Sequence, residues 1–357
     1  MIDLDNVASY RELDPDDMLG RISELPMQCR DAWANAQSLD LPESYRRAGK
    51  VIFLGMGGSA IGGALLNDLV RYECAVPILI NRDYTVPACV DAQTLAIANS
   101  YSGNTEETLM SLEQVVEQGA MVLAITTDGK LAQRARELKA PLLTFNYKSS
   151  PRAALGYSFI SLLGVMCRLG LVPDKAADLS EAITVMEDWQ TEIKESVPLE
   201  KNAAKQLATR LHGHLPVVYG ANYLSEVARR WKTQFNENAK HWSFFEQFPE
   251  LNHNAVVGYQ WPADLAEKIV VILLSSASDH PRNRVRAQVT QEILEQRGVA
   301  YQVVEARGAS PLAQVLSIIH FGDYVSYYLA LLNGTDPSPV DTISYLKKRL
   351  AEVPGTF

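Results

Sequence analysis

The sequence predicts an α/β fold with two doubly wound domains, each built on a mainly parallel sheet that is flanked by helices. Short runs of β-branched residues alternate with stretches of helical periodicity, which is typical of consecutive βαβ units. The alternation is interrupted over 174–212 and then resumes. The 357 residues also provide enough chain for about two domains.

The first half of the chain carries five predicted strands and two clear helices. The strands are short apolar segments bounded by turn residues, expected at 50–55, 76–83, 94–100, 120–129 and 141–146. A helix is expected over 59–70, directly after a glycine-rich turn, and another over 105–119, where apolar residues recur at helical spacing. Strands separated by helices are expected to pair in parallel.

The second half repeats this organisation after a polar segment. Residues 174–212 contain spaced apolar positions and no strand signal, so we expect one or two helices there. Strands are then expected at 214–220, 268–276 and 299–308, and helices at 222–240, 282–298 and 311–334. We therefore predict an N-terminal domain over 1–172, a helical bridge over 173–205 and a C-terminal domain over 206–357.

The two halves form a repeat in pattern rather than in sequence identity. A strand ends at a glycine turn at Gly55 and again at Gly220, 165 residues later. A further strand ends at Ser100 and again at Ser275, 175 residues later. Two such domains facing each other would form a cleft at the carboxyl ends of their strands, where α/β sheets commonly bind ligands.

Charge and cysteine usage exclude several classes of protein. With 33 Lys and Arg against 42 Asp and Glu, the net charge of −9 disfavours nucleic acid and anionic membranes as partners. The acidic N-terminus lacks an apolar core segment, so we expect no signal peptide and a cytoplasmic protein. No cysteines are spaced as a CxxC pair, so we expect no metal site and buried, reduced thiols at Cys29, Cys74, Cys89 and Cys167.

The glycine-rich segment GMGGSAIGG (55–63) directly follows the first strand. Gly55, Gly57 and Ala60 match a relaxed dinucleotide-binding fingerprint, and Asp83 follows the second strand, where an acid that binds ribose would stand. The same glycines also suit a phosphate cradle, or a simple tight turn between a strand and a helix. The segment alone leaves these three interpretations open.

A second polar turn, NSYSGNTEET (99–108), follows the third strand. Ser100, Ser102 and Thr105 offer three hydroxyls within six residues, and a predicted helix begins directly after them. Hydroxyls, backbone amides and a helix N-terminus together favour the binding of one phosphate group. The same spacing also fits an ordinary helix-capping motif. A compact sugar phosphate needs such a second loop, whereas a nucleotide pyrophosphate does not.

Together, GMGGSAIGG and SYSGNTEET resemble the sugar isomerase (SIS) domain, in which the Ser/Thr-rich loop binds the phosphate of a phosphosugar. The later segments FNENAKHW (235–242), FPELNHNAVVG (248–258) and GDYVSYYLALLNGTDPSPV (322–340) resemble the bifunctional phosphoglucose/phosphomannose isomerase family. The resemblance covers roughly residues 45–350. It implies two SIS domains, a phosphosugar substrate, a homodimer, and no metal or organic cofactor.

The resemblance implies an aldose–ketose isomerase that interconverts glucose 6-phosphate, mannose 6-phosphate or both with fructose 6-phosphate through a cis-enediolate. Its phosphate-binding residues would come from the two turns, here Gly57, Gly58, Ser59, Ser100, Ser102 and Thr105. Two other interpretations stay open, a non-catalytic sugar-phosphate sensor and a dinucleotide-dependent dehydrogenase. The serine-rich loop argues against the dehydrogenase.

Aldose–ketose isomerisation needs a base that moves a proton between C1 and C2, a group that opens the sugar ring, and a positive charge beside the enediolate. Glu237 in NENAK is the candidate base, with Asn236 and Asn238 as candidates to orient it. Arg152, at a predicted helix start after Pro151, is the candidate stabiliser of the enediolate. The resembling family carries a glutamate and an arginine in these contexts, although each alone would also fit a solvated surface residue.

Three further candidates come from later segments. His253 is one of six histidines and is the candidate for ring opening, since a histidine side chain suits proton exchange with the ring oxygen. The resemblance implies that a neighbouring subunit donates it. Lys347 in LKKRL matches a family lysine near the ring oxygen, and the adjacent Lys348 would face another side of the helix. Ser338 stands where the family pattern has a threonine, and Asp341 follows it, so the preference for glucose or mannose stays open.

Overall fold

The computed structural model describes residues 2–353. The helices of the N-terminal half are α1 (Tyr10–Leu13), α2 (Met18–Ser23), α3 (Leu25–Ser38), α4 (Gly57–Val70), α5 (Glu106–Glu117), α6 (Gly129–Glu137) and α7 (Leu155–Arg168). The strands of this half are β1 (Lys50–Leu54), β2 (Ile78–Asn81), β3 (Thr94–Asn99), β4 (Met121–Thr126) and β5 (Leu142–Thr144). They pair in parallel in one sheet, in the order β2-β1-β3-β4-β5.

The C-terminal half contains a second parallel sheet. Its helices are α8 (Ala176–Ile193), α9 (Ala203–Leu211), α10 (Ser225–Glu237), α11 (Pro281–Gln296), α12 (Pro311–Leu332) and α13 (Asp341–Ala351). Its strands are β6 (Leu215–Ala221), β7 (Phe244–Phe248), β8 (Ile269–Ser275) and β9 (Ala300–Glu305). They pair in parallel in the order β7-β6-β8-β9.

The prediction of two parallel-sheet α/β domains is confirmed. Each predicted strand is present, and the central strands are buried on both faces, as their continuous apolar sequences require. In the first sheet, for example, Phe53 of β1 lies opposite Ile80 of β2 and Ile97 of β3. Helices α8 and α9 occupy the polar segment that was expected to bridge the domains. The domain boundaries at 172 and 205 stay a prediction.

Strand β7 was not predicted from the sequence. It lies at the edge of the second sheet and pairs only with β6. Its segment is short and contains Glu246 and Gln247, so it lacks the apolar run that marks the buried strands. Helices α1, α2, α3 and α6 were also not predicted, and α7 was anticipated only at its start.

Helix α12 lies at the centre of the molecule. All its residues from Leu312 to Leu332 are buried, and it packs against α8, α9 and α10. It is long and apolar enough to cross a membrane, but the protein itself surrounds it. One cluster of buried apolar side chains extends from Leu4 to Leu332, so the two halves share a core.

The prediction of buried cysteines is confirmed for Cys29 only. Cys29 lies fully inside the core, where burial raises the pKa of its thiol. Cys74 and Cys167 are partly exposed and Cys89 is exposed. Cys89 lies in the connection between β2 and β3. The expectation was wrong there because a residue's burial tendency does not fix its place in a loop.

Candidate active site

The glycine turn after β1 brings α4 against the backbone that precedes α7. Gly57 has a φ angle of +49°, a left-handed conformation that glycine adopts at no steric cost. A Cβ atom on Gly58 would lie 2.9 Å from the Pro151 carbonyl carbon and 3.0 Å from the Arg152 nitrogen, so the close approach requires glycine. α4 also begins without a side-chain cap, which leaves amides of its first turn available to a ligand.

The serine-rich turn after β3 adjoins the start of α4. The Ser59 hydroxyl accepts a hydrogen bond from the Tyr101 amide (3.2 Å), and the Ser59 carbonyl accepts one from the Asn99 side chain (3.1 Å). The hydroxyls of Ser100 and Thr105 lie 2.9 Å apart. α5, which follows Thr105, also begins without a side-chain cap. Hydroxyls and two uncapped helix N-termini therefore adjoin one another, as a phosphate site requires.

Ser102 and Gly103 form the tip of this turn. The Ser102 hydroxyl accepts a hydrogen bond from the Asn104 amide (3.3 Å), and Gly103 has a φ angle of +67°. A Cβ atom on Gly103 would lie 1.8 Å from the Asp128 carbonyl oxygen. The turn is therefore packed against the loop after β4, which fixes its conformation.

Arg152 is a buried cation next to the glycine turn, and its side chain is 3% exposed. Its Nε donates to Asn238 Oδ1 (2.6 Å), and its Nη2 donates to the carbonyls of Pro337 (2.5 Å) and Ser338 (2.9 Å). Burial lowers the pKa of Arg152, and the Glu237 carboxylate opposes that effect. Because a guanidinium keeps its proton at physiological pH, the site holds a fixed positive charge.

Glu237 is the last residue of α10, and its carboxylate faces Arg152. Glu237 Oε2 lies 3.5 Å from Arg152 Nη1, and its side chain is 28% exposed. The prediction that Asn236 and Asn238 orient Glu237 was wrong. Asn238 accepts the hydrogen bond from Arg152 and donates to the Ser326 hydroxyl (2.9 Å), and Asn236 donates to the His241 carbonyl (2.9 Å), so both amides have other partners.

A buried ion pair holds α10 in place. Arg230 Nη2 donates to both carboxylate oxygens of Asp323 in α12 (3.0 and 2.7 Å) and to the Arg152 carbonyl (3.2 Å). Gln234 donates to the same carboxylate (2.9 Å). Burial raises the pKa of Asp323, and the Arg230 charge opposes that effect. The network links the helix that carries Glu237 to the backbone of Arg152.

Lys240 belongs to the site but was missed in the sequence. Its Nζ donates to the carbonyls of Glu237 (3.0 Å) and Asp336 (2.6 Å), so it closes the end of α10 and ties it to the segment before α13. Desolvation, followed by the charge of Arg152, lowers the pKa of Lys240 to about 8. Its position in the sequence could have indicated this role, because a lysine just past the end of a helix commonly binds the last carbonyls of that helix.

A cavity of about 220 Å³ lies between the glycine turn and α10. Gly57 and Gly58 line it from the first domain, and Thr233 and Glu237 line it from the second. Its lining is rich in cations, namely Arg82, Arg152, Arg229, Arg230 and Lys232. A hollow of about 460 Å³ beside β9 contains none of the candidate residues, so size alone does not mark the site.

His253 and Lys347 lie outside this cavity. His253 ends a short 3-10 turn after β7 and is exposed. Lys347 and Lys348 lie on α13, which is exposed over residues 341–350. One chain therefore brings Glu237 and Arg152 together without His253 or Lys347, whose roles stay predictions.

Ser338 contacts Arg152 through its backbone. Its carbonyl accepts from Arg152, and its amide donates to the Asp336 carboxylate (2.8 Å). Its hydroxyl is buried, and within residues 2–353 it has no hydrogen-bond partner. A buried hydroxyl without a partner is costly, so a polar group of a ligand would be a suitable one.

The turn after β2 does not support the dinucleotide interpretation. Asp83 is exposed, and its carboxylate accepts a hydrogen bond from the Tyr84 amide (2.6 Å). Its neighbour Arg82 lines the cavity instead. An arginine at this place favours an anionic ligand. In the part of the chain that the structure describes, no cluster of three or more His, Cys, Asp or Glu side chains could hold a metal ion.

Two family models match the chain, the SIS domain over residues 44–141 and the bacterial phospho-glucose isomerase C-terminal SIS domain over residues 200–350. The bifunctional phosphoglucose/phosphomannose isomerase of Caldicellulosiruptor bescii is 41% identical, over 94% of this chain and 99% of its own. The Aquifex aeolicus protein of the same name is 36% identical, over 84% of this chain and 90% of its own. The solved C-terminal domain of glucosamine-fructose-6-phosphate aminotransferase from Francisella tularensis shares the fold, with a TM-score of 0.75, 15% identity and coverage of 95% and 100%.

The two matched regions and the two parallel sheets define a protein with two SIS domains. The identity and coverage of the relatives specify it further. The chain belongs to the bifunctional phosphoglucose/phosphomannose isomerase family. The resemblance stated from the sequence is therefore confirmed.

Proposed function

We propose that this chain is an aldose–ketose isomerase that interconverts fructose 6-phosphate with glucose 6-phosphate and mannose 6-phosphate through a cis-enediolate. The observation that carries the proposal is the 3.5 Å approach of Arg152 and Glu237 beside the glycine turn. A carboxylate can remove and return a proton without moving, and a fixed cation stabilises the negative charge that forms meanwhile. The names of the relatives supply the substrate class.

The phosphate of the substrate is proposed to bind at the serine-rich turn and the start of α4. Its ligands would be the hydroxyls and amides of Gly57, Gly58, Ser59, Ser100, Ser102 and Thr105. Anchoring the phosphate there leaves the other end of the sugar free to reach Glu237. Because the phosphate site lies in the first domain and Glu237 in the second, catalysis needs both.

Glu237 is proposed to transfer the proton between the two reacting carbons. The carboxylate takes the proton from C2 of the open-chain aldose, the released electron pair forms the C1–C2 double bond, and the oxygen on C1 becomes negative beside Arg152. A proton then moves from the oxygen on C2 to the oxygen on C1, and Glu237 returns its proton to C1 to give the ketose. Rotation about C2–C3 would expose the other face of the enediolate, so both epimers can form. Ser338, with its free hydroxyl, is the proposed selectivity residue.

We propose that a second copy of this chain completes the site as a homodimer. His253 is exposed, and so is α13, which carries Lys347 and an apolar row of Ile343, Leu346 and Leu350. An exposed apolar row is typical of a surface that another chain covers. In the dimer, His253 of one copy would open the sugar ring in the site of the other, assisted by Lys347. We also propose a cytoplasmic location, without nucleic acid or membrane partners.

The test is proton NMR of the purified protein with fructose 6-phosphate in D₂O, with no metal or nucleotide added. The expected result is that glucose 6-phosphate and mannose 6-phosphate both appear and carry deuterium at C2. Glu237→Gln is expected to lower kcat by about 10³-fold, because the proton then has no acceptor, while fructose 6-phosphate still binds. Binding is measured by calorimetry.

Glu200→Gln is the matched control, since Glu200 is an exposed glutamate with 76% of its side chain accessible. It is expected to keep the activity of the unmodified protein. Retained deuterium exchange in Glu237→Gln would remove Glu237 from its role. Saturable binding of fructose 6-phosphate without any turnover by the unmodified protein would instead favour the sugar-phosphate sensor.

A further inference from the structure

The cavity beside Glu237 carries more positive charge than one phosphosugar requires. Arg82, Arg229 and Lys232 line it, yet none of them has a part in the proposed phosphate site or in the proton transfer. We propose that these three residues form a second anion-binding subsite, which takes the second phosphoryl group of a sugar bisphosphate. The inference rests on the proposed function, because the first phosphoryl group would occupy the serine-rich turn.

The strand order separates this subsite from the serine-rich turn. β1 lies between β2 and β3 in the first sheet. Arg82 directly follows β2 and Ser100 directly follows β3, so they lie on opposite sides of the glycine turn. Two strand spacings amount to about 10 Å. A sugar with a phosphoryl group at each end of its carbon chain spans a comparable distance.

Helix α10 forms the opposite wall of the cavity. Arg229, Thr233 and Glu237 recur at intervals of four residues and all line the cavity, with Lys232 beside them. Arg229 precedes Glu237 by eight residues, which is about 12 Å along a helix. The cations and the proposed base therefore stand at different points of the cleft.

The charges of this group are not balanced. Arg82 Nη2 and Arg229 Nε both approach one carboxylate oxygen of Glu226, at 3.6 and 2.9 Å. Both nitrogen atoms are buried and, within the described chain, have no hydrogen-bond partner. Lys232 has no hydrogen-bond or ion-pair partner among residues 2–353. Two guanidinium groups thus share a single carboxylate, and the ammonium of Lys232 adds an unpaired positive charge.

The other charged side chains that line the cavity already have partners of opposite charge. These pairs are Arg152 with Glu237 (3.5 Å) and Arg230 with Asp323 (2.7 Å). The surplus of positive charge in the cavity lining is therefore confined to Arg82, Arg229 and Lys232. Phosphoryl oxygens would supply the acceptors that the guanidinium nitrogens lack, and arginine binds such groups well because its fork of donors matches their geometry.

The test compares the affinities of fructose 6-phosphate and fructose 1,6-bisphosphate by calorimetry and by inhibition of turnover. The bisphosphate is expected to compete with fructose 6-phosphate and to bind about tenfold more tightly. Lys232→Gln and Arg82→Gln are each expected to lower the ratio of the two affinities by about three- to tenfold. Lys201→Gln is the matched control, because Lys201 is exposed and does not line the cavity, and it should leave the ratio unchanged.

Two outcomes would overturn the subsite. One is a bisphosphate that binds no more tightly than the monophosphate, and the other is an equal weakening of both ligands by Lys232→Gln, which would indicate general attraction of anions. Thermal unfolding shows whether Arg82→Gln is folded. If Arg82→Gln is unstable, the result for Lys232→Gln alone decides. Turnover of fructose 6-phosphate separates the proposals, since tight, Lys232-dependent bisphosphate binding without turnover would refute the isomerase and keep the subsite.

Discussion

The strands of the two sheets end in similar turns, but the helix N-termini that follow these turns are capped differently in the two domains. In the first domain, α4 and α5 follow the glycine and serine turns and begin without a side-chain cap. In the second domain, side chains of the protein accept hydrogen bonds from the corresponding amides. The Asp68 carboxylate accepts a hydrogen bond from the Glu226 amide at the start of α10 (3.2 Å), and His280 accepts one from the Arg282 amide at the start of α11 (3.1 Å).

The serine turn of the second domain is also closed by a carboxylate. Asp279 is buried, and its Oδ2 accepts a hydrogen bond from the Ser276 amide (3.2 Å). The Ser276 hydroxyl donates to Gln314 in α12. A carboxylate of the chain therefore lies at the turn that corresponds to the proposed phosphate site. A strand–turn–helix unit thus offers a place for an anion in both domains. That place can bind a ligand only where the backbone amides are not already bonded to the chain's own side chains.

The largest expected effect comes from the two glycine turns. Gly58→Ala should lower kcat/KM by about 10²- to 10³-fold, because the added methyl group pushes the Arg152 segment away from α4. Gly220→Ala places a Cβ atom 2.2 Å from the Leu224 carbonyl oxygen and should mainly lower stability, by roughly 1–3 kcal/mol. Steady-state kinetics and urea unfolding of both variants check this, and full activity in Gly58→Ala would contradict it.

A smaller effect is expected from the serine turns. Ser100→Ala combined with Thr105→Ala should raise KM for fructose 6-phosphate by about ten- to hundredfold, since two hydrogen bonds to a charged group are lost. Ser276→Ala, in the closed turn, should leave KM unchanged. Kinetics at saturating and limiting substrate measure both. Similar increases in KM for the two domains would show that the second turn also binds the phosphate.

The smallest expected effect concerns stability alone. Burial raises the pKa of Asp279 from its ordinary 3.8 to about 6. The folded chain therefore holds this proton more tightly than the unfolded chain, and the resulting stability is present at low pH and lost as the pH rises from about 4 to 6. Asp279→Asn should remove this loss of stability. The Ser276 amide then donates to a neutral amide oxygen, which is a weaker hydrogen bond. The net expected gain in the free energy of unfolding above pH 6 is roughly 1–2 kcal/mol.

Urea unfolding at pH 4.5 and 7 measures this difference. Asp264→Asn is the control, because Asp264 is exposed, with 77% of its side chain accessible, and it should keep the pH dependence of the unmodified protein. An unchanged pH dependence in Asp279→Asn would mean that the carboxylate is already well solvated in the folded chain.

The fold was largely predictable from the sequence because its signals are local. Strand β3, Thr94–Asn99, is an unbroken buried run, and each such run is followed by turn residues and a helix. Strand β7 escaped detection because an edge strand does not need apolar residues on both faces. The exposure of Cys89 was not predicted, because the burial of a loop residue depends on tertiary packing that no local sequence pattern shows.

The candidate site was predictable in part. The glycine and serine turns are contiguous in sequence and visible there, whereas Arg152 and Glu237 are 85 residues apart, and only the family resemblance joined them. Lys240 and the Arg230–Asp323 pair were missed, because their importance arises from partners on distant elements. The roles proposed for His253 and Lys347 depend on a second chain, and the sequence pattern of one chain does not show which residues contact another.

The central position of α12 has a consequence for how this protein unfolds. Residues of both halves cover that helix, and even Tyr10 near the N-terminus places its ring 6.1 Å from Tyr327 and 6.3 Å from Tyr328. Most of the helix packs against α8, α9 and α10, and residues of the N-terminal half, including α2, complete its cover. A single cooperative melting transition is therefore expected in calorimetry, and a cut near residue 172 should leave two insoluble fragments. The two domains repeat one pattern, but because they share a core they are expected to denature as one unit.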